Sequence, residues 1–580
     1  MKPFKKSGPG FVAMLLMVLV MAATLSSCSK YGDRREELLS HVNDKAIAVM
    51  TLNPSVFIES AGGKTDKDEI TMPPVVEKLM KDLLSKRQRR SVSSLAEVRG
   101  LNLKSAVLAV YNSDYSSVGD GIQPVFLCSV TDADEFAKWL EDRNLYEDKE
   151  GDYRCFSGKG IDAVVVICDD VAYILPFVDD TGDAADMVKD MERDSRSRRL
   201  ASWKSDYLSD SDKAASALVF LEEISERDIA EFYNNKVVND DANVLAFELK
   251  LDGLHLTAAM NILDRDGKPA DIVSESALAP LNPSVAELYA TGFDFFSAMS
   301  LQGSLMEGIK DEVMKDISRD LVKSLFGEDI NKYDIYSYDT YWGYMNYSNP
   351  MRDSLRSLAS SPDFIRPMKK ISAVSLGMGV KKDADLSFRN PEKMFEMFNL
   401  GLSAAFDDEK AAAAYYKAWH DMKLPGMNSG KDCISFKPHE LLGAELYMTR
   451  RSDNVMLSTE KEGVKGGRRL PCDIDDAVAF AAMELPKDGA VMKALPVKLG
   501  FGVTVWGYAT RHSALIDLTL TGTEGGLLLN ILELCQKFST YASGDMADDY
   551  EMVDDEDFVE VEEVEVVEEV AADTAWVARE

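Results

Sequence analysis

The sequence has few basic residues for its acid content. Of 580 residues, 65 are Lys or Arg and 99 are Asp or Glu, which gives a formal net charge of -34 at pH 7. Binding to nucleic acid requires a concentrated basic surface, which this balance opposes. The basic cluster Lys86-Arg87-Gln88-Arg89-Arg90 follows a helical pattern at Val75 to Leu84. We interpret it as a solvated helix end, with contact to anionic lipid headgroups as the alternative. Nucleic acid is therefore not expected as a partner.

Motifs for metal, cofactor or nucleophilic chemistry are also missing. The five histidines are scattered, and no two cysteines form a CxxC pair. The segment Gly62-Gly63-Lys64-Thr65 has Ile58 where a phosphate loop needs its first glycine, and His439-Glu440 has Gly443 where a zinc-protease helix needs its second histidine. No G-x-S-x-G nucleophile elbow is present. The sequence predicts no catalytic residue, no metal ligand and no cofactor.

Long apolar runs are rare, and the clearest one lies at the start of the chain. Phe11 to Ala23 follows basic residues, is too short to span a bilayer, and leads into Leu25-Ser26-Ser27-Cys28. This order is typical of a bacterial lipoprotein signal, which a peptidase cleaves just before a lipid-bearing cysteine. We expect a signal peptide at residues 1–27 and lipidation of Cys28.

Lipid on Cys28 determines the expected location of the protein. Acyl chains contribute about 0.8 kcal/mol per buried methylene, so the membrane is a predicted partner and the protein is tethered rather than spanning. Ser29 follows the lipid site where aspartate would retain a lipoprotein at the inner membrane, and this favours the outer membrane. Whether the protein faces the periplasm or the cell surface is left open.

The chain between the linker at 28–42 and the acidic tail predicts an α+β fold. Short apolar runs alternate with amphipathic helices, and their order occurs twice. We predict two tandem copies of a mixed unit, at 43–275 and 283–543, each with antiparallel hairpin-rich sheets covered by helices. The interface between the copies is the default site for a ligand.

Several elements of the two predicted units are specific. The first unit includes a helix at Ala133 to Arg143, a hairpin of Ala163 to Ile167 with Val171 to Leu175, and a closing hairpin turned at Asp252-Gly253. The second begins with a strand at Val285 to Phe293. The other predictions for the second unit are a helix at Ser304 to Phe326, strands at Ile371 to Val380 and Ala384 to Arg389, a helix at Pro391 to Leu402, and strand pairs at Ala444 to Thr449 with Asn454 to Ser458 and Gly502 to Thr510 with Ala514 to Thr521.

One segment concentrates aromatic side chains with hydroxyl, amide and acid groups, from Tyr333 to Tyr347. Flat rings can stack on sugars while Asp and Asn bind hydroxyl groups, so a glycan site is one interpretation. The other is a loop that packs its rings onto the second unit. The candidate ligand-binding residues are Tyr336, Tyr338, Tyr341, Trp342 and Tyr344.

The C-terminal segment at 544–580 has a different composition. Asp554-Asp555-Glu556-Asp557 passes into a run of valine and glutamate at Val559 to Val570. Charge repulsion predicts a disordered acidic tail at neutral pH. Either it only solubilises the protein, or its valines order when a basic partner or a divalent cation neutralises the acids.

The lipobox at Leu25 to Cys28, the strand Asn43 to Met50 followed by Asn53-Pro54, and the repeated strand-hairpin blocks resemble a known family. They are similar to the large Bacteroidetes envelope lipoproteins that are classified only as a domain of unknown function. The resemblance covers nearly the whole mature chain except the tail. It implies an envelope lipoprotein but no reaction, no cofactor and no site residues.

These observations favour a lipid-anchored envelope protein that binds or scaffolds without catalysis, with an envelope protein or a glycan as its partner. Two alternatives stay open. One is a glycan-binding surface lipoprotein that uses the segment Tyr333 to Tyr347. The other is an envelope hydrolase whose acidic groups come from distant segments.

Overall fold

The computed structural model describes residues 33–66, 69–71, 73, 99–102, 105–112, 124–158, 161–176, 178, 180–221, 239–285, 293–308, 310, 361–381, 397–421, 427–430, 433–436, 445–460, 470–495 and 497–542. Several sequence predictions lie outside these residues. They are the signal peptide with Cys28, the helix and basic cluster at 75–90, the aromatic segment 333–347 with its five candidate residues, the strand at 384–389 and the acidic tail at 544–580.

The described chain has an α+β fold in which one antiparallel sheet of 20 strands dominates. The strands of the first half, residues 46–263, are β1 (Ala46–Leu52), β2 (Lys64–Asp66), β3 (Glu69–Thr71), β4 (Val107–Asn112), β5 (Pro124–Ser129), β6 (Tyr146–Glu150), β7 (Tyr153–Gly158), β8 (Ile161–Cys168), β9 (Val171–Pro176), β10 (Ala215–Phe220), β11 (Val244–Asp252) and β12 (His255–Leu263). Strands β2 and β3 form a separate hairpin.

The second half of the sheet comes from residues 295–521. Its strands are β13 (Phe295–Ser300), β14 (Ile371–Val380), β15 (Phe398–Phe406), β16 (Met427–Ser429), β17 (Cys433–Phe436), β18 (Leu446–Arg451), β19 (Asn454–Ser458), β20 (Ala479–Leu485), β21 (Gly502–Ala509) and β22 (Ser513–Thr521).

The two halves have the same strand order. Across the first half the neighbours are β6, β7, β8, β9, β5, β4, β1, β10, β11 and β12. Across the second they are β16, β17, β18, β19, β15, β14, β13, β20, β21 and β22. The last strand of each half, β12 and β22, pair antiparallel, so equivalent strands join the halves into one sheet.

Nine α-helices have defined bounds in the described chain. They are α1 (Arg35–Leu39), α2 (Pro54–Ser60), α3 (Ala133–Glu141), α4 (Thr181–Ser197), α5 (Ser202–Ser209), α6 (Pro362–Met368), α7 (Glu409–His420), α8 (Ala490–Ala494) and α9 (Leu527–Ala542). No described helix combines the length and the apolar character needed to cross a membrane.

Helices α3 and α7 occupy equivalent places, since each follows the strand that is fifth from the outer edge of its half. Each begins at an aspartate whose side chain accepts hydrogen bonds from backbone N–H groups of the first turn. Asp132 accepts from Asp134 and Glu135, and Asp408 accepts from Ala411. Such caps bind N–H groups that have no partner within the helix, and they fix where each helix starts.

The cores lie on both faces of the sheet. In the first half, α1, α4 and α5 pack on one face, and Leu38, Val188 and Leu208 belong to its buried cluster. Helix α3 packs on the opposite face of the outer strands, where Phe136 and Val165 belong to a second cluster. In the second half, α6 and α7 pack on β15 and β17 to β19.

Most of the predicted hairpins are confirmed, with changes at their edges. Strands β8 and β9 form the predicted hairpin, and Asp169 has φ 50°, a conformation that a two-residue turn requires. The closing hairpin of the first half turns one residue later than predicted, because Asp252 pairs with His255 and leaves Gly253, at φ 57°, in the loop.

Two predictions in the second half are wrong in part. A helix was predicted at Pro391 to Leu402, but residues 398–406 form β15, because their alternating side chains pair with β14 and β19. Residues 391–396 lie outside the described residues, Met397 is helical, and the next helix with defined bounds is α7, after its Asp408 cap. For the strand predicted at Val285 to Phe293, residues 286–292 lie outside the described residues. Val285 ends a 3-10 helix, Pro283–Val285, and the next described strand begins at Phe295.

Candidate ligand-binding face of the sheet

Two rows of directly paired residues cross the middle of the sheet on one face, which we call the open face. Residues that lie opposite each other in an antiparallel pair share a face, so the register assigns them. The first row is Met50, Ala217, Phe247, Met260, Ala514, Ala509, Ala479, Met299 and Val374. The second row is Ala215, Leu249, Ala258, Ile516, Gly507, Ala481, Ser297, Leu376 and Leu402. The open face is therefore apolar from β1 to β15.

The open face carries most of the large apolar side chains that are exposed in the described residues. Nine are exposed in all, and six of them lie here: Phe247, Met299, Leu376, Met378, Leu402 and Ile516. Ile516 is the most exposed of the six, at 53%. Isolated exposed apolar residues are ordinary, but a contiguous exposed set marks an interaction surface.

A cavity of about 330 Å³ lies on the open face where the two halves meet. Its lining includes Met50 and Phe247 from the first half and Ile516 from the second. The volume is within the range of small-molecule sites, about 300–1,000 Å³, and such sites are mostly apolar.

Helices bound the open face at its ends and along one side. At one end, the first row continues beyond Met50 to Phe126, toward the strands that α3 covers. At the other end, the second row continues beyond Leu402 to Leu457, which α7 covers. Along one side, α9 packs Leu527 against residues at the ends of β11, β12 and β22, including Leu256 and Leu518. The result is a bounded apolar trough.

The described residues that line the cavity offer no group for acid, base or nucleophilic chemistry. Glu248 borders the cavity, but its carboxylate lies 3.1 Å from the Lys213 amine, which belongs to the opposite side of the sheet. The Ser216 hydroxyl is 2.7 Å from that of Thr51, in a buried contact.

The opposite face of the same strands is polar, and we call it the polar face. Asp517 of β22 lies opposite Trp506 of β21, and the His255 Nε2 of β12 is 2.6 Å from the Asp517 carboxylate. Trp506 and Tyr508 have nearly parallel rings with centroids 6.4 Å apart. At the junction, the strands therefore expose opposite chemistry on their two faces.

A second polar cluster is buried beneath α1 and α4. The His41 Nδ1 is 2.5 Å from Glu192 Oε1, and the Tyr173 hydroxyl donates to the same carboxylate and lies 3.0 Å from His41. Burial raises the pKa of Glu192, but hydrogen bonds from His41 and Tyr173 outweigh it and leave the pKa below its usual value. The cluster joins the start of the described chain to the core.

Charged groups also connect the halves at the β21–β22 turn. Asp271 Oδ2 is 3.1 Å from Arg511 Nε, and Asp271 Oδ1 is 3.1 Å from His512 Nδ1. Burial raises the pKa of Asp271, but these hydrogen bonds lower it further than burial raises it. The linker after β12 is thereby held to the second half.

Cys28 and the five aromatic candidates lie outside the described residues, so only the other cysteines and the paired acids can be located. The six cysteines after Cys28 are free thiols, and burial raises the pKa of Cys128 to about 12 and that of Cys155 to about 11. Within the described residues, no group of three or more His, Cys, Asp or Glu side chains is placed to hold a metal ion. Asp169 and Asp170 form the two-residue turn between β8 and β9.

Residues of the open face were not predicted as site residues. The signal was present, since Ala514, Ile516, Leu518 and Leu520 alternate with polar residues along β22. Alternation separates the two faces of a strand but does not show which face a helix will cover. From the sequence alone, Phe247 and Ile516 are therefore expected in the core.

Comparisons with known proteins identify no family. No family model matches the chain, and no curated protein matches it. Among solved structures, crystal form III of TP0453 aligns with a TM-score of 0.25 at 7% identity, over 44% of this chain and 86% of that chain. Crystal form IV of TP0453 aligns with a TM-score of 0.24 at 9% identity, over 38% and 79% of the two chains. Scores this low do not define a shared fold.

Proposed function

We propose that this protein is a non-enzymatic binding protein of the cell envelope that holds an acyl chain against the open face. The observation that carries the proposal is the continuous apolar surface around the junction cavity, with six exposed large side chains on one face. Water on such a surface is released when an apolar ligand covers it, at about 25 cal/mol per Å² of apolar area.

A flexible chain suits this surface better than a rigid polar molecule. The two rows contain Met50, Met260 and Met299, and Met378 adds a fourth thioether on the same face. Methionine adapts its shape to irregular ligands. The cavity takes part of a chain and the exposed rows extend beyond it, so a linear ligand can continue along the trough.

Titration with a fluorescent fatty acid tests the proposal on the full chain. We expect saturable binding near one ligand per protein, with displacement by unlabelled palmitate. A soluble sugar or amino acid should not displace the probe. Absence of saturable binding, or binding that palmitate leaves unchanged, would contradict the function.

We also propose that lipid on Cys28 anchors the protein to the outer membrane. The support is the basic start, the apolar run and the lipobox, which together place Cys28 at the cleavage site. The variant Cys28→Ser should move from the membrane fraction to the soluble fraction, whereas Cys535→Ser should stay with the membrane. Membrane retention of Cys28→Ser would contradict the anchor.

The finer architecture that we propose is a tandem duplication. Its support is the shared order of ten strands, the capped helix at the same place in each half, and the pairing of the equivalent strands β12 and β22. An experimental structure should superpose residues 46–263 on 295–521. Failure to superpose the ten strands would exclude the duplication.

A further inference from the structure

The polar face of the junction concentrates groups that recognise sugars, and it does so independently of the apolar cavity. Trp506 and Tyr508 are alternate residues of β21, so both side chains lie on that face. Trp506 belongs to none of the hydrophobic clusters that the described residues form, whereas Tyr508 is partly buried and packs against the cluster that contains Phe480. Trp506 is partly exposed.

Polar groups surround the two rings at fixed positions. Asp517 lies directly opposite Trp506, and Thr257 lies opposite Asp517 on β12. The Asp517 side chain is 14% exposed and His255, which binds it at 2.6 Å, is 42% exposed. Thr519 lies opposite both His255 and Thr504. A carboxylate, an imidazole and threonine hydroxyls thus lie beside an aromatic pair.

From this arrangement we infer that the polar face of the junction is a saccharide-binding site. The C–H faces of a pyranose ring stack on flat aromatic surfaces such as Trp506 and Tyr508. The hydroxyl groups of the sugar donate to the Asp517 carboxylate and exchange hydrogen bonds with His255 and Thr257. An uncharged sugar fits better than an acidic one, because an acidic sugar would bring a second carboxyl group against Asp517.

The site takes residues from both halves of the sheet. Trp506, Tyr508 and Asp517 come from the second half, and His255 and Thr257 come from the first. The antiparallel pairing of β12 with β22 fixes their spacing, so the site exists only when the halves are joined. This dependence makes the inference specific to the junction.

The test uses the full chain with a panel of uncharged oligosaccharides of glucose, mannose, xylose and N-acetylglucosamine. Binding is screened on an array and measured by calorimetry for the best oligosaccharide. Trp506→Ala and Tyr508→Ala should each weaken binding by about tenfold. Tyr146→Ala, which removes an exposed strand tyrosine at the outer edge of the sheet, should leave the affinity unchanged. Melting curves confirm that each variant is folded.

Either of two results would overturn the inference. One is the absence of binding by the wild-type chain to every oligosaccharide of the panel. The other is binding that folded Trp506→Ala and Tyr508→Ala leave intact, which would put the sugar elsewhere. Loading with palmitate should not displace the sugar, because the cavity lies on the other side of the sheet. Failure of palmitate to bind would contradict the proposed function but not this site.

Discussion

Ala258 of the first half lies directly opposite Ile516 of the second, in the strand pair that joins the two halves. Both residues line the cavity of the open face, and Ile516 is more than half exposed. A large apolar residue in the centre of a sheet is usually covered by a helix or a second sheet. Here it borders a cavity instead, which is why the junction is the centre of our account.

The first prediction concerns a charge on the open face. Ile516→Glu should weaken fatty acid binding at least about tenfold, because a carboxylate in an apolar site must lose water without gaining a partner. Lys250→Glu is the matched control, since Lys250 is exposed on the polar face. Fluorescence titration should separate the two variants. Equal affinities of the two variants for the fatty acid would exclude the open face as the binding site.

The second prediction concerns the cluster of His41, Tyr173 and Glu192. Glu192 is 8% exposed, and its replacement in Glu192→Gln should lower the free energy of unfolding at pH 7 by about 1–3 kcal/mol. Urea denaturation measures the change. An unaltered urea midpoint would show that the cluster does not stabilise the fold.

The pH dependence of stability provides a third prediction. The pKa of Glu192 is lower in the folded state than in the unfolded chain. Its contribution is fully present above the unfolded pKa, about 4.3, and is lost as pH falls through the folded pKa. The stability difference between wild type and Glu192→Gln should therefore shrink as pH falls below about 4. A stability difference that grows as the pH falls would contradict the lowered pKa of Glu192 in the folded state.

A fourth prediction concerns the packing of Gly377 in β14. A Cβ at this position would lie 2.2 Å from the Phe293 ring, which is buried. Gly377→Ala should therefore destabilise the protein by about 1–3 kcal/mol through overpacking. Gly500→Ala is the control, because its Cβ would meet no atom within 4 Å. Thermal unfolding compares the two, and equal melting temperatures would contradict the packing.

The thiols give a fifth prediction. Cys535 is exposed on α9, whereas Cys155 is buried and burial raises its pKa to about 11. Because the thiolate is the reactive form, iodoacetamide at pH 8 should modify Cys535 in the native protein well before Cys155. Mass spectrometry of digested samples measures both rates. Faster modification of Cys155 would place it outside the core.

Much of the strand pattern could be predicted from sequence, because local signals define hairpins. The β8–β9 turn at Asp169 and the glycine at 253 are turn residues between alternating runs. The predicted helix overlaps β15 at residues 398–402 because the Leu residues there suit either element, and only the pairing with β14 and β19 decides between them.

The candidate site could not be predicted in the same way. Phe247 and Ile516 are 269 residues apart, and only the β12–β22 pairing brings their strands together. A buried side and an open side of a strand have the same alternation in sequence. Which face a helix covers depends on the whole fold, so the sequence indicates the two faces of each strand but not which of them is covered.

Photochemical cross-linking with a diazirine-labelled palmitate tests the central claim most directly. The full chain is loaded, irradiated and digested, and the labelled residues are mapped by mass spectrometry. The account predicts labels on the cavity residues Phe247, Met260 and Ile516, reduced by an excess of unlabelled palmitate. Labels confined to other segments, or labels that competition does not reduce, would contradict it.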